Sequence, residues 1–188
     1  RRAVNPERSV DPYVARHLAT PRALEESAAA DPWNVVGAAF NAYVASFPPP
    51  RVLVGFNSKR YDSRIVVFEH RRAGLTWPDE TFFVDVRDFA SQYVTLDRPR
   101  TLGRYHERVV GTPIASAHTA LADARALAAV VGAWPPAAVA ADVVKYRETV
   151  DGVHKRCGLT VDPAGGDDGA VRFYDLQFRI TAWFEDLE

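Results

Sequence analysis

The chain has no methionine, a single cysteine and almost no net charge, and each scarcity narrows what it can be. Cys157, standing alone, excludes an internal disulfide and a cysteine-based zinc site, and it suits a reducing, intracellular compartment. A formal charge of −1 over 188 residues leaves no global basic field, so a nucleic acid would have to be met by a local patch. That disfavours tight, non-specific coating of DNA. No apolar run reaches the length of a membrane span and no secretory leader is visible, so no membrane association is expected. The lack of methionine beside an Arg1-Arg2 opening leads to the expectation that the natural start lies upstream.

What is present is a hydrophobic content of 47%, enough for the core of one domain of ordinary size. Asn5-Pro6, Asp11-Pro12 and Thr20-Pro21 push the residue before each proline out of the α region, so residues 1–30 are expected to run extended over a surface. From Asp31-Pro32 the pattern turns helical, with Asp31 as N-cap and Val35, Val36, Ala39, Phe40, Tyr43 and Val44 on one face. Pro48-Pro49-Pro50 ends that helix, and Arg51-Val52-Leu53-Val54-Gly55-Phe56 reads as a strand buried on both faces of a parallel sheet. A helix over 62–71 stopped by Gly74, a strand over 81–86 and a helix opening at 89–93 follow. An alanine-rich helix carries Asp123 and runs to about Ala133, closed by Pro135-Pro136. Residues 137–150 read as one further helix, 162–169 as a Gly/Asp loop and 171–187 as an amphipathic stretch. Short apolar strands alternating with helices make an α/β domain over residues 1–135, with 136–188 a C-terminal extension or the start of a further region.

Two places carry chemistry. In the alanine-rich helix Leu121, Ala124, Leu127, Ala128 and Val131 define the expected buried stripe, and Asp123 borders it with no Lys or Arg three or four residues away. A carboxylate so placed calls for a metal ion or a basic group from elsewhere. The second place is Gly55-Phe56-Asn57-Ser58-Lys59-Arg60-Tyr61-Asp62, at the carboxyl end of the apolar strand, where open α/β sheets hold their ligands. Asp62 equally suits a helix N-cap, and Asn57 a turn. Together Asp62, His118 and Asp123 form a metal-and-base set whose hard oxygen ligands suit magnesium or manganese. His118, five residues before Asp123, belongs to the preceding loop; a capping or surface role suits it too. The segment 96–113 contains Arg98, Arg100, Arg104, His106 and Arg108, either a phosphate-facing surface or a solvated loop and helix face.

Asn57 with Tyr61-Asp62, spaced from His118-Thr119-Ala120-Leu121-Ala122-Asp123, resembles the second and third motifs of the DEDD exonuclease superfamily, in its histidine-bearing (DEDDh) branch of proofreading-type 3′→5′ exonucleases. Val4 to Val10 resembles the family's segment after its early strands, and Leu18-Ala19-Thr20 the turn that follows. Gly55-Phe56-Asn57 is similar to the exonuclease I subgroup, which degrades single-stranded DNA. The resemblance covers residues 4–133. It implies a ribonuclease H-like mixed sheet flanked by helices, and hydrolysis of phosphodiester bonds at the 3′ end of single-stranded DNA, with RNA as the alternative. In that family four carboxylates hold two magnesium or manganese ions and a histidine deprotonates the attacking water. By position, Asp62 and Asp123 would be metal ligands and His118 the general base. Asn57 and Tyr61 would shape the site and help to place the terminal nucleotide, and Asp85 would be structural. Apart from the resemblance, Ser58 and Lys59 of the same loop and Arg100, Arg104 and Arg108 of the basic segment are expected to contact the nucleic acid.

The family's first motif, Asp-x-Glu on an opening strand, has no counterpart before Arg1. In one explanation it lies upstream in a longer protein. In a second the strand is lost, and the domain is an inactive module that binds nucleic acid or a polymerase-like replication partner. In a third the far end supplies it, with Asp175-Leu176-Gln177 inside Val171 to Phe178 imitating Asp-x-Glu.

Overall fold

The computed structural model describes residues 4–5, 30–97, 100–115 and 120–157. Val4–Asn5 (β1) and Asp31–Pro32 (β2) form a short parallel pair, from which the chain enters helix α1 (Trp33–Ala45). Asp31 is therefore not the helix cap. The cap position falls to Pro32, which offers no side-chain bond, because Asp31 is taken into the strand pairing. The buried face of α1 is Trp33, Val36, Gly37 and Val44, while Val35 and Tyr43 are exposed, so the expected apolar stripe was drawn too wide. Trp33, absent from that stripe, is buried on the inward face.

Pro48 to Pro50 cannot extend a helix, and strand β3 (Arg51–Gly55) follows them directly. Arg51 reaches back to donate to the carbonyls of Val44 and Ala45, satisfying acceptors that the end of α1 leaves open. Helix α2 (Asp62–Arg72) crosses over to strand β4 (Thr81–Asp85), which pairs parallel with β3 from Arg51↔Thr81 to Gly55↔Asp85. Gly74, at φ +65°, ends the crossover helix as expected. A 3₁₀ turn (Val86–Asp88) and helices α3 (Ala90–Tyr93), α4 (Leu102–Val110), α5 (Ala120–Gly132) and α6 (Pro136–Tyr146) come next.

The expected single helix over 137–150 is broken. Arg147 turns extended so that β5 (Glu148–Thr149) can pair antiparallel with β4, and Thr149 then caps helix α7 (Val150–Arg156) through the Gly152 N–H. Sheet pairing overrides helix propensity there. The sequence after Pro136 thus contributes a strand and a helix to the main sheet, whose order is β3-β4-β5.

Alternating side chains of the sheet serve two cores. Val84, with Val52 beside it, meets Val86, Phe89, Tyr105, Leu127, Val130 and Trp134 beneath α3, α4, α5 and α6. Phe83, with Leu53, meets Val67 of α2 and Val153 of α7. The result is a mixed α/β layer structure, a three-stranded mixed sheet flanked by helices. β4, between its two partners, is almost wholly buried. β3 departs from the expectation of burial on both faces: it is an edge strand of the sheet among the described residues, and Val54 is 43% exposed.

On α5 the buried residues are Ala126, Leu127 and Val130, with Ala124 and Ala128 exposed. The stripe is shifted from the expected one, and Trp134, which follows the helix, lies in the same core. Asp123, at i−3 and i−4 from Ala126 and Leu127, is consequently on the inward face and half-buried. Among the described residues no single helix is long and apolar enough to cross a membrane.

Candidate functional site

Because β3 and β4 are in parallel register and end together at Gly55↔Asp85, the two following loops open at one end of the sheet. The turn after β3 is tight: a Cβ on Gly55 would lie 2.4 Å from the Ser58 Cβ, and Asn57 sits at φ +60°. Both features suit the residue types present, since glycine removes the clash and asparagine tolerates the left-handed region.

Asp85 organises this turn. Its buried carboxylate accepts the backbone N–H of Asn57 at 2.7 Å, of Lys59 at 3.0 Å and of Arg87 at 3.0 Å. Burial pushes its carboxyl above the ordinary range, and the Lys59, Arg87 and Asn57 N–H bonds pull it back. Both oxygens are engaged by backbone N–H groups, so the carboxylate ties the turn after β3 to the end of β4. Arg87 Nη1 donates to Asn57 Oδ1 at 2.7 Å, and Lys59 Nζ pairs with Asp88 at 2.5 Å. Arg87 and Asp88 were not singled out from sequence. Their only signal was a pair of charged residues between Val86 and Phe89, just past a buried strand.

Asp62 is the first residue of α2, one past the cap position, which Tyr61 occupies without a side-chain bond. Its carboxyl is half-buried and has no ion pair among the described residues. Burial pushes it up from 3.8 to about 6, the bond to its own backbone N–H pulls the other way, and the Asp85 charge adds to the rise. It is the carboxylate at this end of the sheet whose charge is least compensated. A cation there would offset the cost of its burial.

The other expected residues are distributed as follows. Asn57, Lys59 and Tyr61 are half-buried around the turn, while Ser58 is buried against Gly55, its carbonyl accepting from Tyr61 N, Ser63 N and Ser63 Oγ. Arg100, Arg104 and Arg108 are exposed on and before α4. That helix is anchored by Tyr105, buried with its ring 5.7 Å from Phe56, the residue preceding Asn57. Sequence reading missed Tyr105, since one aromatic in a basic segment sets no period. Asp123 lies in the first turn of α5. His118, Arg98, Asp175 and Gln177 lie outside the described residues. Among the described residues no three His, Cys, Asp or Glu side chains converge on one metal-sized site. No protein-family model matches the chain, and no curated protein matches it.

Proposed function

We propose that the chain forms a ribonuclease H-like domain of a magnesium- or manganese-dependent exonuclease that hydrolyses phosphodiester bonds from the 3′ end of single-stranded DNA. The observation that carries this reading is Asp62, a half-buried carboxyl raised to about 6 with no cationic partner among the described residues, at the start of α2 beside the end of two parallel strands. Asp62 and Asp123 would hold the metal, and Asp85, with both oxygens already accepting N–H bonds, is unsuited to it. A divalent ion, when bound, supplies Lewis-acid activation of the scissile phosphate. His118 would accept the proton of the attacking water. Arg87 holds Asn57 by its Oδ1, which leaves the carboxamide nitrogen to donate to a terminal nucleotide. A second reading, an inactive module that binds nucleic acid or a replication partner, is favoured by the exposed Arg100, Arg104 and Arg108, which serve binding without chemistry.

The test is magnesium-dependent release of nucleotide from a 3′-labelled single strand, by this chain and by a version extended upstream of Arg1. Release that falls in His118→Ala with little change in DNA affinity, and in Asp123→Ala with weakened metal binding, supports the enzyme. Silence in both versions, with DNA still bound, rejects it in favour of the module.

A further inference from the structure

Lys59 is held by its backbone on both sides. Its N–H goes to Asp85, and its carbonyl accepts Nη1 of Arg156 at 2.5 Å. Arg156 is the last residue of α7, 97 residues away in sequence, and its guanidinium is oriented by Glu148 of β5 through three N–H to carboxylate contacts of 3.0 to 3.1 Å. Nη2 also lies 3.4 Å from Ser63 Oγ, which in turn donates to the Ser58 carbonyl at 2.8 Å. A surface ion pair alone contributes little, but this one spends its remaining donors on the loop and on the first turn of α2.

We infer that Arg156 is a positioning residue of the candidate site: held by Glu148, it fixes the Lys59 carbonyl and Ser63, and so sets how Asn57, Tyr61 and Asp62 are presented to a 3′-terminal nucleotide. The ligand rests on the nuclease reading; the clamp rests on the contacts alone. It gives the β5–α7 segment a role at the site, because β5 pairing with β4 is what brings Arg156 within reach of the loop.

The experiment is amide hydrogen exchange on the full chain, comparing Asn57 and Lys59 with Val84 in β4, beside nucleotide release and melting temperature. Arg156→Gln is expected to speed exchange at Asn57 and Lys59 by roughly tenfold relative to Val84. Arg156→Lys should recover part of that protection, since an ammonium still donates to the Lys59 carbonyl. The exchanged pair Glu148→Arg with Arg156→Glu should regain melting temperature and leave the loop fast, because a carboxylate at position 156 has no proton to donate. Equal acceleration at Val84 and the loop, or full loop protection in the exchanged pair, overturns the positioning role. If the loop responds as expected while parent and variants, with and without the extension upstream of Arg1, all release no nucleotide, the clamp stands and the nuclease reading falls. If the parent releases nucleotide and Arg156→Gln alters neither loop exchange nor turnover, the clamp falls and the nuclease reading stands.

Discussion

His70 should make the fold acid-sensitive. Its ring is fully buried on α2, stacked on Trp77 at 3.8 Å, with Trp33 and Phe40 edge-on at 5.4 and 6.1 Å. Nδ1 lies 2.8 Å from the Val66 carbonyl, and Nε2 lies 3.0 Å from Asn41 Oδ1. Two opposed influences meet here. The apolar surroundings disfavour an imidazolium, whereas two acceptors would welcome one. Burial wins and lowers the group from 6.5 to about 4, with the Val66 bond opposing. The native ring is then neutral where the unfolded ring has begun to charge. Stability is intact above about pH 6.5 and is lost as pH falls toward 4, because the unfolded state binds the extra proton. Between pH 7.5 and 4.5 the loss from this one group is roughly 2.5 kcal/mol. The assay is urea unfolding followed by tryptophan fluorescence at several pH values, on the parent and on His70→Gln, which cannot titrate. The difference between the two isolates the histidine from the carboxylates common to both. A parent-minus-variant difference that is flat in pH refutes the reasoning. A parent that gains stability on acidification would mean an imidazolium donating to both Val66 and Asn41.

Asp62 runs the other way: its carboxyl is raised, so it costs stability above about pH 6 and the cost fades as pH falls. Asp62→Asn should therefore unfold later than the parent by about 1–2 kcal/mol at pH 7.5 and by only a few tenths of that at pH 4, in chemical unfolding, and on the proposed reading it also weakens magnesium or manganese binding. Asp85→Ala strips the acceptor from three backbone N–H groups and should cost about 3 kcal/mol or more in the same assay, with the Asn57 and Lys59 amides exchanging faster. Tyr105→Ala empties the anchor of α4 and should cost about 3–5 kcal/mol by thermal or chemical unfolding. Neutralising Arg100, Arg104 and Arg108 together should weaken single-strand binding and flatten its salt dependence in a fluorescence titration, and an unchanged slope would remove that patch from the interface.

Local chemistry was legible in the sequence. Proline runs, the apolar pentapeptide before Asn57, and Gly74 placed α1, β3, the crossover helix and β4 within a residue or two, because φ restriction and hydrophobic continuity act over a few neighbours. The site loop was visible too, since a buried strand followed by polar residues and a carboxylate is a local pattern. What stayed hidden depended on partners distant along the chain. The break at Arg147 follows from a strand pairing with β4, and the inward face of α5 is set by the core it shares with β4 and α4. Asp62 could be named from sequence, but its raised carboxyl comes from burial and from Asp85. By itself the sequence determined which residues stand at the end of the first strand. Only the tertiary structure decided which of their charges would be compensated, because desolvation and the arrival of Asp85 and Arg156 depend on contacts that exist once the sheet has closed.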